Sequence, residues 1–397
     1  MSISTIVIGG GAAGFFAAIT AAQSHPSVLL LEKTNTLLAK VRISGGGRCN
    51  VTHSCFDPHA LVKNYPRGEK ELIGPFHQFQ PRDTMEWFQS RGVELKTEED
   101  GRIFPVSDDS QTIIDCLFAE AKKLGVNIRL QQNIRTIEKQ ENGFRLELES
   151  GEELFCQKLI LATGSSKGGY ALAETLGHHI VAPVPSLFTF NLPDLPLKEL
   201  SGISVEPVSV QIAETKFHQH GPLLITHWGF SGPAVLKLSA WAARHLHSVN
   251  YCAEIKIDWL PQLVSNQFLQ LKHSHPTDTL NQHIPPSIAR QLWKKLLEKA
   301  HIDPHARLNT IPNKVLTLLY EQLRSDSYMI NGKTTYKQEF VTCGGIALEE
   351  VNFKTMESRL CKGLYFAGEV LNIDGITGGF NFQNAWTTGW IAGQQKS

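Results

Sequence analysis

The chain has 397 residues, 42% hydrophobic and 19% charged, which is room for roughly two or three domains around a substantial core. Lys+Arg and Asp+Glu are equal at 38 each, so no net field draws the protein to nucleic acid or to an anionic membrane, and neither partner is expected.

The amino-terminal apolar stretch lacks a basic flank and is broken by Gly9-Gly10-Gly11. No segment reaches about 18 uninterrupted apolar residues, so neither a signal peptide nor a membrane span is expected. Cys49, Cys55, Cys116, Cys156, Cys252, Cys343 and Cys361 contain no C-x-x-C pair, and the sixteen His are spread along the chain. The expectation is a soluble, cytoplasmic protein without a disulfide scaffold or a metal site.

Thr5-Ile6-Val7-Ile8 reads as a buried parallel strand. After a glycine turn, Ala12 to Gln23 reads as a helix stopped at His25-Pro26, and Ser27 to Leu31 as a second strand closed by Glu32: a βαβ unit. Asp83 is a candidate cap for a helix through Arg91, and Asp109 or Ser110 for one through Leu124. From Asn133 to Lys158, turns at Asn142-Gly143 and Ser150-Gly151 separate three alternating runs, an antiparallel meander; Leu159 to Gly164 then returns as a buried strand.

Prolines punctuate the chain between about Pro183 and Pro196 and mark a boundary. Ile203 to Ile212 and Tyr251 to Asp258 alternate like antiparallel strands. From about Pro261 to Leu323 the period is helical, with Ile288, Leu292, Trp293, Leu296 and Leu297 on one stripe. Beyond about Thr342 the glycine-rich style of the amino terminus resumes, with a strand at Gly363 to Gly368 and a helix from Asn381 to Ala392. The simplest arrangement is one α/β domain from residues 1–190 and 341–397. Into it are inserted a β-rich subdomain, 191–258 with 327–340, and a helical one, 259–326.

Gly9-Gly10-Gly11-Ala12-Ala13-Gly14 is a G-x-G-x-x-G between strand and helix, the turn that seats a pyrophosphate on free N–H groups. Glu32, eighteen residues past Gly14, is placed to accept from a ribose diol, which suits FAD or NAD and opposes a 2′-phosphate; Lys33 follows it. Ser44-Gly45-Gly46-Gly47-Arg48-Cys49-Asn50 is a second glycine loop able to lie against a flat or anionic ligand. Near the carboxyl end come Gly368-Glu369, Asp374-Gly375 and Thr377-Gly378-Gly379-Phe380-Asn381, a glycine pair opening the last helix and aiming N–H donors at a ligand.

Together with Gly101 to Asp108, Thr226 to Leu236 (THWGFSGPAVL), Val341 to Ile346 and Thr355 to Ser358, these motifs run in order through nearly the whole chain. The sequence resembles the BaiN/YhiN-like bacterial FAD-dependent oxidoreductases, the aminoacetone oxidase family. The resemblance implies a Rossmann-like FAD-binding domain of the two-dinucleotide-binding-domain type, formed by both chain ends and interrupted by a β-barrel-like and a helical subdomain. It also implies that Gly9, Gly11, Ala12, Ala13 and Gly14 hold the pyrophosphate, Glu32 and Lys33 the ribose end, and the Ile134 backbone the adenine. Ala162, Thr163 and Gly164 would lie beside the adenosine half. Gly368 and Glu369 would meet the ribityl chain, and Ser44 to Gly47 with Gly379, Phe380 and Asn381 the ring. One departure is the short Ser165-Ser166-Lys167-Gly168-Gly169-Tyr170 loop, where similar proteins carry a longer Gly/Pro-rich one.

The leading expectation is therefore an FAD-dependent oxidoreductase acting on a small molecule, with NAD(P)H docking transiently or O2 as redox partner. One G-x-G-x-x-G leaves no separate NAD(P)H domain in evidence. His227 is a candidate proton carrier and Arg48 a candidate clamp for an anion or reduced flavin. Two alternatives stay open: a dithiol reductase using Cys49 and Cys55, which stand with five residues between them, and a flavin-binding sensor or tRNA-modification accessory.

Overall fold

The computed structural model describes residues 3–24, 27–265, 267–334 and 341–394; the expected stop at His25-Pro26 lies outside these residues. The chain divides into two compact units, Met1–Ser186 with Lys337–Ser397, and Leu187–Tyr336.

In the first unit, strand β1 (Ile3–Ile8), helix α1 (Ala12–Ala22) and strand β2 (Val28–Leu31) form the expected βαβ unit. Five parallel strands lie in the order Asn127–Arg129, β2, β1, Glu153–Leu161, Leu364–Phe366. Chain order therefore runs outward from β1 in both directions. A doubly wound sheet of this kind opens its ligand crevice at the carboxyl ends of the strands where that order reverses.

Two sequence expectations change here. The third run of the meander and the buried strand after it are one strand, Glu153–Leu161, whose burial alternates at first and then becomes continuous from Lys158. Its first half pairs antiparallel with Gly143–Leu148 and its second half is sandwiched between β1 and Leu364–Phe366. Asp83 is not a cap residue: the helix starts two residues earlier, at Pro81, and Asp83 accepts from the Gln80 N–H at 2.7 Å in a capping box. Asp109 does cap its helix, accepting from the Gln111 N–H at 2.8 Å.

Helix α1 is buried from Ala13 through Ala21, which its Ala- and Phe-rich sequence permits on every side. The final helix, Phe380–Gln394, packs along it with small residues facing α1.

The second unit is a seven-stranded antiparallel sheet. Its order is Asp326–Asn331, Cys252–Asp258, Ser204–Ile212, His218–Ile225, Gly229–Ser231, Thr189–Asn191, Lys333–Thr334. The first and last of these are consecutive in the chain with only Gly332 between them, so the sheet must curl almost into a barrel. The β-rich and helical parts expected here are both present, and they are joined: Trp293, Leu296, Leu316 and Leu319 from helices Arg290–Lys299 and Asn313–Arg324 share one apolar core with Val210, Ile255, Ile257 and Phe230 from the strands.

Candidate functional site

Four of the sequence-selected groups fall at carboxyl ends of neighbouring parallel strands. Gly9, Gly11, Ala12, Ala13 and Gly14 follow β1, and Glu32 and Lys33 follow β2. Ala162, Thr163 and Gly164 follow Glu153–Leu161, and Gly368 and Glu369 come just after Leu364–Phe366. The strands are locked in step by Ala162 N–H donating to Ile8 O at 2.9 Å and Ala367 N–H to Leu161 O at 3.0 Å. Gly9 has φ 113°, and a side chain there would run into the Ala162 carbonyl, so only glycine lets the turn close against the next strand.

Glu32 is held by two backbone donors, Gly10 N–H and Thr34 N–H, both at 2.8 Å, so its carboxylate is fixed beside the glycine turn. Glu32 also bonds through its backbone to Arg129 and Gln132, which brings the segment leading to Ile134 alongside it. Lys33 reaches across to the Ser166 hydroxyl at 2.9 Å, tying it to the short loop after Gly164.

The second glycine loop and the carboxyl-terminal motif meet directly. With the Asn50 amide oriented so that both its ends are satisfied, its oxygen accepts from the Gly379 N–H at 2.9 Å, and its nitrogen donates to Thr52 O at 3.0 Å. Gly379 has φ 92°, and an added Cβ would stand 2.6 Å from Thr52 O. The loop from Asp374 to Phe380 is clamped throughout. Ile376 N–H donates to Asn64 O at 2.9 Å, the Tyr65 hydroxyl donates to Phe380 O at 2.6 Å, and the Asn381 side chain bonds Gly375 N–H and O at 2.8 and 2.9 Å. Asn381 thus shapes the loop with its side chain, a role the sequence did not disclose. Tyr65, and Arg67, which pairs with Asp374 in the same loop, are likewise unmarked by their local sequence.

Glu369 accepts from Thr342 N–H at 3.0 Å and pairs with Lys40. Buried around this strand end are polar atoms with no hydrogen-bond partner among the described residues: Thr163 Oγ1, Tyr170 Oη and Thr342 Oγ1. Burial, with the nearby Glu369 charge, pushes the Tyr170 hydroxyl well up. By contrast, space is open above Gly11, Gly46 and Gly47, where an added Cβ would meet nothing within 4 Å. Unsatisfied buried hydroxyls at the strand ends and open space at the glycine turns fit a large polar ligand. Among the described residues no group of three or more His, Cys, Asp or Glu could hold a metal ion.

Arg48 does not point a free cation at that cradle. Its guanidinium pairs with Glu98 at 2.6 Å and Asp108 at 3.4 Å and stacks 3.9 Å from the centre of the Phe104 ring. The anion-clamp role expected from sequence meets two carboxylates already in place, so its first job is to hold the SGGGRCN loop to the paired strands Leu95–Thr97 and Arg102–Pro105. Cys49 is fully buried, and burial pushes its thiol up to about 12; the Cys55 thiol is pushed up too. Both are free, and neither is prepared to be a thiolate.

His227 belongs to the second unit, exposed on the turn between His218–Ile225 and Gly229–Ser231, and it makes no hydrogen bond among the described residues. No carboxylate or carbonyl orients its ring. Ser231 accepts from the Thr189 hydroxyl at 2.9 Å, and Gly232 is the N-cap of the following helix, with Pro233 as its first residue.

A phosphate turn at the switch point, an acidic strand end beside it and a second glycine cradle built from Asn50 and Gly379 suit the long, bent FAD molecule better than a mononucleotide. Fold and site together define an FAD-dependent oxidoreductase. More narrowly, the chain belongs to the HI0933-like protein Rossmann domain family, whose profile matches residues 3–395. It is 32% identical over 402 residues to a ribosomal RNA dihydrouridine synthase of Escherichia coli (strain K12), covering 98% of this chain and 96% of that one. It is 28% identical over 404 residues to a 3-dehydro-bile acid delta(4,6)-reductase of Clostridium scindens, covering 98% and 97%. Among solved structures, a 3-ketosteroid-delta4-(5alpha)-dehydrogenase from Rhodococcus jostii RHA1 shares the fold, with a TM-score of 0.52, 14% identity and coverage of 99% and 97%. The first of these relatives weighs against the expectation of no nucleic-acid partner. No helix among the described residues is long and apolar enough to cross a membrane.

Proposed function

We propose that this chain is a reductase that adds two hydrogens across a carbon–carbon double bond conjugated to a carbonyl, with uridine in ribosomal RNA as substrate. The observation that carries the reading is the end-to-end similarity to a ribosomal RNA dihydrouridine synthase at 32% identity. The bile acid reductase relative fits the same chemistry. Uracil C5–C6 and a steroid enone both take a hydride at the electron-poor carbon and a proton at its neighbour.

Bound FAD would supply the two-electron hydride step, with NAD(P)H docking transiently as donor. The chain supplies position and electrostatics. Gly9, Gly11, Ala12, Ala13 and Gly14 would receive the pyrophosphate on the α1 N-terminus, and Glu32 would accept from the adenosine ribose with Lys33 at its flank. The Ile134 backbone would border adenine, and Ala162 to Gly164 the adenosine half. Gly368 and Glu369 would meet the ribityl chain, and Ser44 to Gly47 with Gly379 to Asn381 would hold the ring.

Ribosomal RNA from a strain lacking this protein, incubated with the purified yellow protein and NADH or NADPH, tests the reading. Nucleoside mass spectrometry should find uridine heavier by two hydrogens. RNA left unmodified by either donor, while a small enone is reduced, sinks the RNA reading. That outcome would favour the small-molecule alternative, which the equal numbers of acidic and basic residues support.

A further inference from the structure

We infer that the Thr226–Gly229 turn is a stacking platform for a base of the RNA substrate, with Trp228 as its aromatic face; this rests on the reading of RNA as substrate. The THWGFSGP motif is accounted for by folding at every position but two. Thr226 builds the turn: its hydroxyl oxygen accepts from the Trp228 N–H at 3.3 Å and the Gly229 N–H at 3.1 Å, and the hydroxyl donates to Gly229 O at 3.0 Å. Gly229 lies against the Phe190 carbonyl with no room for a side chain, and Phe230 is buried in the core. Ser231 bonds Thr189, and Gly232 with Pro233 starts the helix.

His227 and Trp228 are left facing solvent. Trp228 is 66% exposed, the highest value among the large apolar side chains in the described residues. Its backbone is nevertheless immobilised, since Trp228 O also accepts from Leu192 N–H at 2.8 Å. An indole displayed on a pinned turn loses little further freedom when a flat ring settles on it, and stacking on an aromatic side chain is how unpaired bases are held.

The surroundings favour a nucleic acid as occupant. Residues 187–336 carry fourteen Lys and Arg against eleven Asp and Glu, together with ten of the sixteen His, whereas the rest of the chain is net acidic. Gly229 pairs with Asn191 and the adjacent Phe190 pairs with Lys333, so Lys333 stands two strands from the turn, with its Nζ 4.3 Å over the Tyr251 ring.

The test compares FAD-loaded wild type with Trp228→Ala, Trp228→Phe and, as a control of similar exposure, Met329→Ala. Retention of deproteinised ribosomal RNA on filters is measured at one fixed salt concentration. Trp228→Ala should weaken binding on the order of ten-fold, with Trp228→Phe close to wild type and Met329→Ala unchanged. Absorbance near 450 nm and the rate of flavin reduction by NADPH should be the same in all four. Trp228→Ala that holds RNA as tightly as a wild type able to make dihydrouridine overturns the platform and leaves the RNA reading standing. A wild type that neither retains the RNA nor modifies it overturns both.

Discussion

Arg67 and Asp374, 307 residues apart in sequence, form a half-buried ion pair beneath the glycine loop of the final helix: Arg67 Nε donates to Asp374 Oδ1 at 2.5 Å, and a second guanidinium nitrogen donates to Oδ2. The Ser186 hydroxyl donates to the same Oδ2 at 2.6 Å, and Asp374 is fully buried. Burial pushes this carboxyl up, against the pull of Arg67 and Ser186. Asp374→Asn should leave the Arg67 charge partly uncompensated and cost about 3–5 kcal/mol, as breaking one side of a buried pair does. We expect a lower Tm and FAD lost on gel filtration. A variant that melts like wild type and stays yellow would show that the loop is held by its other clamps alone.

The crossing of α1 and the final helix depends on an absent side chain. A Cβ on Gly389 would stand 2.6 Å from Ala13 O and 3.1 Å from Phe16 Cβ. Gly389→Ala should therefore destabilise the protein by about 1–3 kcal/mol through overpacking, despite the better helix propensity of alanine. Urea unfolding followed by far-UV circular dichroism gives the value; an unchanged or raised midpoint would mean that the helices can part at no cost.

Thiol chemistry distinguishes this site from a dithiol reductase. Cys49 is buried with its thiol pushed up to about 12, whereas Cys252 is exposed. An aromatic disulfide reagent at pH 8 should label Cys252 early and leave Cys49 unmodified until unfolding. Reduction with NADPH should expose no new pair of thiols. Two extra thiols after reduction would restore the Cys49/Cys55 alternative.

Stability should depend on pH through His178. Its Nδ1 lies 2.8 Å from Glu350 Oε2 and its Nε2 lies 2.8 Å from Ser358 Oγ, which already accepts from the Leu360 and Cys361 N–H groups. The Ser358 proton therefore goes to Nε2, and Nδ1 donates to Glu350. Burial lowers the His178 pKa and outweighs the Glu350 hydrogen bond. The folded state thus prefers the neutral ring. This stabilisation is complete above the unfolded value of about 6.5 and is lost as pH falls below it, where the unfolded chain binds the proton first. Unfolding midpoints should drop between pH 7.5 and 5.5 in wild type and less steeply in His178→Gln. Parallel slopes would assign the pH dependence to other groups.

Much of the candidate cofactor site was legible locally. The G-x-G-x-x-G turn, the acidic end of the second strand and the glycine pair before the final helix are short-range devices, set by φ, by the reach of one side chain and by a helix N-terminus. Each is therefore written within a few consecutive residues. Glu32 sits where its spacing from Gly14 placed it, fixed by Gly10 and Thr34. Where local signals competed, neighbours in space decided: Ser231 was an adequate cap by type, but Thr189 holds its hydroxyl.

By itself, then, the sequence determined the βαβ unit, its dinucleotide turn and the return of the first domain's style at the carboxyl end, because periodicity and backbone conformation are properties of adjacent residues. Only the tertiary structure decided that Glu153–Leu161 pairs antiparallel with Gly143–Leu148 and parallel with β1 within one sheet, that strands and helices of the insert share one core, and that Arg48 is occupied by Glu98 and Asp108. It alone showed that Asn50 and Arg67 brace the loop before the last helix. Those outcomes depend on burial and on charge pairing between segments from 50 to 307 residues apart, and no local pattern records which distant partner will remove a group from water.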